Sequence, residues 1–104
     1  MAPLVSIVIN NFNYARYLPA AIESALGQDH TELEVIVVDD GSTDESRDVM
    51  ARYAGRIVPI LKENGGMASA LNTGFSASSG AIVVFLDADD YLHPSAASKV
   101  TLSL

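Results

Sequence analysis

Four short runs of apolar residues, rich in β-branched side chains, predict four β-strands. The runs are LVSIVI (4–9), LEVIVV (33–38), RIVPIL (56–61) and AIVVFL (81–86). Most positions within these runs are apolar, whereas apolar and polar residues would alternate along a half-exposed strand. We therefore expect parallel strands that are covered on both faces of the sheet. Pro59 has no backbone N–H to donate, so the third run is predicted to be an edge strand.

Apolar residues at helical spacing lie between these runs and predict three helices. The first helix is expected to have Pro19 in its first turn and to end at Gly27. The second is predicted to begin with a capping box, STDE (42–45), in which the Ser42 and Glu45 side chains accept free backbone amides. A last helix is expected in PSAASKVTLSL (94–104). The apolar positions that define the first three helices are Leu18, Ile22, Ala25 and Leu26, then Val49, Met50 and Tyr53, then Met67, Ala70, Leu71 and Phe75.

Strands and helices therefore alternate along the chain, which predicts an α/β fold. Right-handed crossovers arrange such an order as a three-layer, Rossmann-like α/β/α sandwich with a mostly parallel sheet. We expect the strand order 3-2-1-4, in which the first and last strands are neighbours. Ligands bind such sheets at the carboxyl ends of the strands, beside the point where the strand order switches.

The composition narrows the class of protein further. A chain of 104 residues forms one domain, and its net charge of −7 argues against nucleic acid as a partner. The absence of cysteine excludes disulfides and thiolate metal sites and fits a cytoplasmic location. No apolar run approaches the ~20 residues of a membrane span, although membrane association through a longer parent chain stays open.

Polar residues follow three of the predicted strands: NNFN (10–13), DDGSTD (39–44) and DADD (87–90). The predicted strand order brings these segments to one edge of the sheet. Two carboxylate clusters in one crevice repel each other unless a cation lies between them, and hard divalent ions prefer such oxygen ligands. These residues therefore predict a Mg²⁺ or Mn²⁺ ion that joins protein carboxylates to the phosphates of a ligand.

The alternative is that these acids only cap helices and face solvent in turns. We favour that interpretation for Asp44 and Glu45, which lie in the predicted capping box. Asp87 and Asp89 alternate at the end of a strand, where no structural role requires them, so we favour a site there. Phe12 is an aromatic residue that a base could stack on, although a core position is its commoner use.

The segment ENGGMASALNTG (63–74) opens a predicted helix with glycines, and its free amides could face phosphates. It is neither a G-x-G-x-x-G fingerprint nor a P-loop. A glycine fingerprint would also be expected after the first strand. The sequence therefore disfavours an NAD-linked dehydrogenase.

Taken together, these motifs resemble the nucleotide-sugar-binding half of an inverting family 2 glycosyltransferase of GT-A fold. The resemblance covers residues 4 to about 95 and rests on VSIVINNFNYARYL (5–18), LEVIVVDDGSTDES (33–46) and ENGGMASALNTGFSASSGAIVVFLDADDYLHP (63–94). The last segment contains a DXD motif. The resemblance implies that residues 1–104 are the N-terminal, donor-binding part of such a domain.

The resemblance also implies roles for single residues in holding the nucleotide. Phe12 stands where the family has a tyrosine that stacks on the base, and Asn10 replaces a common proline or threonine. Asp39 matches the acid that contacts the base, with Asp40 beside it. Leu71 occupies a position often taken by arginine, which weakens an expected phosphate contact.

The DXD strand supplies the remaining implied roles. Asp87 matches the acid near the ribose and Asp89 the ligand of the metal on the diphosphate, whereas the role of Asp90 is open. Asn13 and Gly66 complete the expected set of substrate-binding residues.

The implied reaction transfers a sugar, with inversion, from a nucleotide-diphospho-sugar such as a UDP-sugar to an acceptor hydroxyl. The acceptor in the parent enzyme would be a saccharide or a lipid-linked glycan in polysaccharide biosynthesis. The catalytic base is expected beyond residue 104, so this part alone would bind the donor without turnover. Two alternatives stay open: a non-catalytic module that binds nucleotide sugars, and a structural fragment that binds nothing. An exposed sheet edge would also allow a homodimer.

Overall fold

The computed structural model describes residues 3–30 and 32–102, and in this part of the chain four strands alternate with four helices. The elements are β1 (Val5–Asn11), α1 (Leu18–Leu26), β2 (Leu33–Asp40), α2 (Ser46–Ala51), β3 (Val58–Lys62), α3 (Met67–Ala77), β4 (Ile82–Asp87) and α4 (Ala96–Leu102). All neighbouring strands are parallel, in the order β3-β2-β1-β4. The predicted fold class and strand order are confirmed, and β3, which contains Pro59, lies at an edge.

Both faces of the central strands β1 and β2 are mostly buried, which explains their nearly continuous apolar runs. The outer strands β3 and β4 are more open, with Val58, Leu61 and Phe85 exposed, so the expectation of cover on both faces is wrong for them.

Alternate residues of β1 point to opposite faces. Ile7 and Ile9 pack in a core that includes buried residues of α1, α2 and α4. Val8 packs on the other face with Val38 and with Ala70 of α3. The central strand β1 is therefore covered by helices on both sides.

Helix α3 approaches the sheet through its smallest side chains. A Cβ atom at Gly74 would lie 2.2 Å from Val8 Cγ1 and 3.2 Å from Val38 Cγ2. Met67 and Phe75, by contrast, are 59% and 57% exposed. The predicted apolar face of this helix is therefore wrong at these two residues, because a close backbone approach needs a glycine on the buried side.

The predicted capping box is also wrong. Helix α2 begins at Ser46, and its N-cap residue Glu45 makes no side-chain hydrogen bond to the helix. Ser42 instead donates its hydroxyl to Asp39 Oδ1 over 2.6 Å. Asp44 accepts the Ser46 amide over 2.9 Å. The Ser42 oxygen accepts the Asn13 amide over 2.9 Å, and the helix begins too far along the chain for Ser42 to cap it.

The other helix boundaries follow the sequence. Pro19 lies in the first turn of α1, and the Gly27 amide donates to the Glu23 carbonyl at its end. The predicted last helix is present as α4, and the buried side chain of Gln28 accepts the Ala97 amide over 2.9 Å. No helix in residues 3–30 and 32–102 is long and apolar enough to cross a membrane.

Candidate nucleotide-binding site

A cavity of about 450 Å³ opens at the carboxyl ends of β1, β2 and β4, beside the start of α3. Its position is the one that the strand order predicts for a ligand of such a sheet. The lining residues are Asn10, Asn11, Phe12, Tyr14, Asp40, Asn64, Gly66, Met67, Ala70, Asp87, Ala88 and Asp89.

Most of the residues singled out from the sequence lie in this wall. These are Asn10, Phe12, Asp40, Gly66, Asp87 and Asp89. Asn13 and Asp39 are not among the lining residues. The structure therefore brings residues from all three strand ends together and keeps two of the expected residues away from the cavity.

Asp39 is fully buried and is held by protein groups alone. Its Oδ1 accepts hydrogen bonds from Asn11 Nδ2 over 3.0 Å and from the Ser42 hydroxyl. Its Oδ2 accepts the Ser42 amide and Arg47 Nε, each over 3.1 Å. The Arg47 guanidinium and these donors balance its charge, so Asp39 ties β1, β2 and α2 together.

Asp40 is the next residue, and it faces the cavity side of the sheet. Only 3% of its surface is exposed, and Lys62 Nζ lies 2.7 Å from its Oδ1. Burial acts to raise the pKa of this carboxyl, but the hydrogen bond from Lys62 and the amides of Gly65 and Gly66 outweigh burial and lower it. Arg47 beside Asp39 and Lys62 beside Asp40 offset the charge of these two acids, and a bound cation between the two acidic clusters stays a prediction.

Asn10 and Asp87 face each other across the β1–β4 pair. With its carboxamide nitrogen turned toward the acceptors, Asn10 donates to Asp87 Oδ1 over 2.9 Å and to the Leu86 carbonyl over 3.2 Å. This contact fixes one oxygen of Asp87. Asn10 therefore orients an acid at the rim of the cavity.

Asp89 is exposed at the same rim, and its carboxylate has no hydrogen-bonding partner among the described residues. Within residues 3–30 and 32–102, no three or more His, Cys, Asp or Glu side chains form a group that could hold a metal. Two carboxylates, Asp87 and Asp89, nevertheless suit a Mg²⁺ or Mn²⁺ ion, because such ions often take one or two protein carboxylates and complete their shell with phosphate and water. The donor set fits an ion that arrives with a phosphorylated ligand.

Apolar surface forms another part of the wall. Phe12, which follows β1 directly, is 44% exposed, and Tyr14, further along the same loop, is 43% exposed. Met67 from α3 is also exposed and lines the cavity. An aromatic ring that is half open to a cavity offers a planar base a surface to stack on.

Asn13 links two loops beneath the rim. It has a left-handed backbone with φ of 59°, and its Oδ1 accepts the Thr43 amide over 2.8 Å. Asp44 in turn accepts the Ala15 amide over 3.0 Å. Partial burial acts to raise the pKa of Asp44, but hydrogen bonds from Ser46 and Ala15 outweigh burial and lower it. These contacts hold the segment that carries Phe12 against the end of β2.

Sequence reasoning missed several residues of the wall: Tyr14, Asn64, Met67 and Ala70. It also missed Lys62 as the partner of Asp40. Register was the available signal, since Asp40 and Lys62 are opposite each other in the β2–β3 pair. Tyr14 and Asn64 depend on how the loops close over the sheet, and Met67 and Ala70 on how α3 packs against it, which no local pattern records.

Comparison with known proteins places this architecture in a family. The chain is 49% identical over 94 residues to an uncharacterized glycosyltransferase of Nostoc sp., covering 86% of this chain and 29% of that protein. Among solved structures, S. aureus TarS 1-349 in complex with UDP-GlcNAc is 27% identical, with a TM-score of 0.85 over 95% of this chain and 30% of that chain. The mannosyltransferase PcManGT from Pyrobaculum calidifontis, in complex with GDP-Man and Mn²⁺, is 30% identical, with a TM-score of 0.80 over 99% of this chain and 32% of that chain.

The chain thus spans about a third or less of the length of these relatives. The family model for glycosyl transferase family 2 matches residues 6–102, which is nearly the whole chain. The sheet order 3-2-1-4 with flanking helices agrees with the GT-A fold of the structural neighbours. The chain belongs to glycosyl transferase family 2.

Proposed function

We propose that this chain binds the donor, a nucleotide-diphospho-sugar such as a UDP-sugar, for transfer of its sugar to an acceptor hydroxyl with inversion. The observation that carries the proposal is the cavity in which Asp87 and Asp89 share a wall with Phe12 and the start of α3. The ligand classes of two similar proteins support it, since TarS was crystallised with UDP-GlcNAc and PcManGT with GDP-Man and Mn²⁺.

Each part of the cavity suits one part of such a donor. The base stacks on Phe12, which is half exposed. Asp87, oriented by Asn10, lies near the ribose, and the amides that begin α3 after Gly66 face the phosphates. Asn13 and Asp39 serve the site by holding loops in place, since neither lines the cavity.

Asp89, with Asp87 beside it, would hold Mn²⁺ or Mg²⁺. When bound, the ion neutralises the negative charge that develops on the diphosphate leaving group. The protein contributes carboxylate ligands at a solvent-accessible rim, where an ion can enter together with its nucleotide. We assign no residue of this chain as the base that takes the proton from the acceptor.

Sugar transfer by the protein that contains this chain tests the proposal. UDP release from a panel of UDP-sugars is measured with a saccharide acceptor, with and without Mn²⁺. Asp89→Asn should lower kcat/KM on the order of a hundredfold or more, because the ion contributes several kcal/mol of charge stabilisation. Asp48→Asn removes an exposed acid from α2 outside the cavity and should leave the rate unchanged.

Three results would go against the proposal. Transfer that is unaffected by Asp89→Asn would remove the assigned metal site. Binding of UDP-sugar without transfer to any acceptor would favour a non-catalytic nucleotide-sugar module. Absence of both binding and transfer would favour a structural role.

A further inference from the structure

Gln28, the second residue after α1, is buried and uses its whole carboxamide group, with only 8% of its surface exposed. Its Nε2 donates to the Ser24 carbonyl over 3.0 Å and to the His93 carbonyl over 2.8 Å. Its Oε1 accepts the Ala97 amide over 2.9 Å. A carboxamide nitrogen has two hydrogens to donate, so both are used here. Gln28 therefore ties residues 93–97 to the end of α1.

Ser24 makes a second tie four residues earlier, within α1. Its hydroxyl accepts the Leu92 amide over 3.0 Å and donates to the Ala21 carbonyl over 2.8 Å. Leu92 also packs against the core that includes the buried face of α1. We call residues 92–97 the exit segment, because they lead the chain away from the cavity rim at Asp89.

Asp89 lies in a turn that is held on both sides. Before it, the Ala88 amide donates to the Asn10 carbonyl over 3.1 Å. Across the turn, the Asp90 amide donates to the Asp87 carbonyl over 3.0 Å. After the turn, the exit segment is fixed to α1. Because the Asp89 side chain is exposed, the backbone on either side sets where its carboxylate can reach.

We propose that Ser24 and Gln28 are positioning residues for Asp89, the acid assigned to the divalent ion. The inference rests on the proposed function. Neither residue lines the cavity, so their effect on the ion passes through the exit segment and the turn that precedes it. The competing assignment is that the two residues only dock α4 on α1.

Four variants of the 104-residue chain separate these assignments. Ser24→Ala and Gln28→Leu break the ties, whereas Ser24→Thr keeps a hydroxyl. Ser98→Ala is the matched control, because the Ser98 hydroxyl donates to Asp29 and holds α4 without bonding to the exit segment. Hydrogen exchange of the Asp90 amide is measured without ligand. UDP binding, with and without Mg²⁺, is followed by titration of amide chemical shifts, which also reports weak affinities.

Ser24→Ala should speed exchange at Asp90 by about threefold or more, within the effect of losing one ordinary hydrogen bond. It should weaken UDP binding in the presence of Mg²⁺ by about threefold or more and change binding without Mg²⁺ by less than about twofold. Gln28→Leu should act in the same direction and more strongly, and Ser24→Ala alone decides if that variant does not fold. Ser24→Thr should recover both properties, and Ser98→Ala should match the unmodified chain in both.

The inference is overturned if the Asp90 amide exchanges at an unchanged rate in Ser24→Ala, because the tie then does not reach the turn. Equal weakening of UDP binding with and without Mg²⁺ also overturns it, since a general loosening of the fold affects both. Equal effects of Ser98→Ala and Ser24→Ala would reduce the two ties to docking of α4. If the unmodified chain does not bind UDP with Mg²⁺, the proposed function fails and the role in ion binding is overturned with it, even where exchange at Asp90 responds to Ser24→Ala.

Discussion

Asp39 and Asp40 are consecutive residues whose carboxylates lie on opposite faces of the sheet. Asp39 is held by Asn11, Ser42 and Arg47, on the side of α2. Asp40 is held by Lys62 and its neighbours, on the side of α3 and the cavity. The pleat of β2 separates them, because successive side chains of a strand point in opposite directions. Asp39 therefore supports the site from the opposite face of the sheet, and Asp40 belongs to the wall of the cavity.

Asp39→Ala should lower the free energy of unfolding by about 2–4 kcal/mol, because the buried Asn11 amide group and the Ser42 donors lose their acceptor. Urea unfolding measures the loss, with Asp48→Ala as the matched control at an exposed position of α2. The folded variant should keep its affinity for UDP to within a few-fold. Lost affinity with unchanged stability would instead place Asp39 in contact with the nucleotide.

Gly74→Ala tests the close packing of α3 on the sheet. Alanine is the better helix former by about 1 kcal/mol, so an exposed site would be stabilised. Here the new Cβ would meet Val8 Cγ1 at 2.2 Å, and we expect net destabilisation by about 1–3 kcal/mol.

Thermal and urea unfolding of Gly74→Ala are compared with Ser76→Ala, an exposed change on the same helix. The double variant Gly74→Ala/Val8→Ala should lose less than the sum of the single variants, since the shortened Val8 relieves the collision. A stabilised Gly74→Ala would show that the helix does not approach the sheet so closely.

Gly41→Ala tests whether the chain at residues 62–66 packs on the end of β2. Gly41 and Gly55 both have positive φ, 77° and 86°, but only Gly41 has neighbouring atoms within 4 Å of a built Cβ. Both variants lose stability from the backbone conformation, by about 1–2 kcal/mol. Gly41→Ala should lose at least about 1 kcal/mol more, from its collision with Asn64. Equal losses would argue against that contact.

Acid should destabilise the protein through Asp40 and Asp44. The pKa values of both lie below the ordinary 3.8 in the folded state, because hydrogen bonds to the carboxylates outweigh burial. Their contribution is therefore complete above the unfolded pKa and is lost as the pH falls through the folded value. Urea unfolding from about pH 6 to about pH 3 should show stability falling mainly below about pH 4.

Asp44→Asn should make that pH profile shallower, since it removes one of the two groups. The asparagine side chain has no charge that could titrate, and the backbone amides of Ala15 and Ser46 lose a charged acceptor. A profile that is flat down to about pH 3 in the unmodified chain would contradict the lowered pKa values.

The sequence was sufficient for the fold because its strongest signals are repeated. Apolar β-branched runs alternate with helical spacing four times, and right-handed crossovers leave few arrangements. Pro59 identified an edge strand, and Pro19 and Gly27 marked the limits of α1.

The details that failed depend on contacts between distant residues. Ser42 could have capped a helix, but its oxygen accepts the amide of Asn13, which comes from the loop after β1. Met67 and Phe75 match a helical apolar face, yet Gly74 decides which side of α3 meets the sheet. The cationic partners of the β2 acids could not be predicted for the same reason, since Lys62 and Arg47 come from other elements.

Calorimetric titration of the 104-residue chain with UDP, in the presence and absence of Mn²⁺, tests the central claim most directly. Saturable heat is expected with Mn²⁺, with a dissociation constant below about 1 mM, together with a loss of at least tenfold in affinity in Asp89→Asn. The affinity of Asp48→Asn should equal that of the unmodified chain. A folded chain that gives no heat at millimolar UDP and Mn²⁺, or that binds UDP equally well after Asp89→Asn, would contradict a donor site at this edge of the sheet.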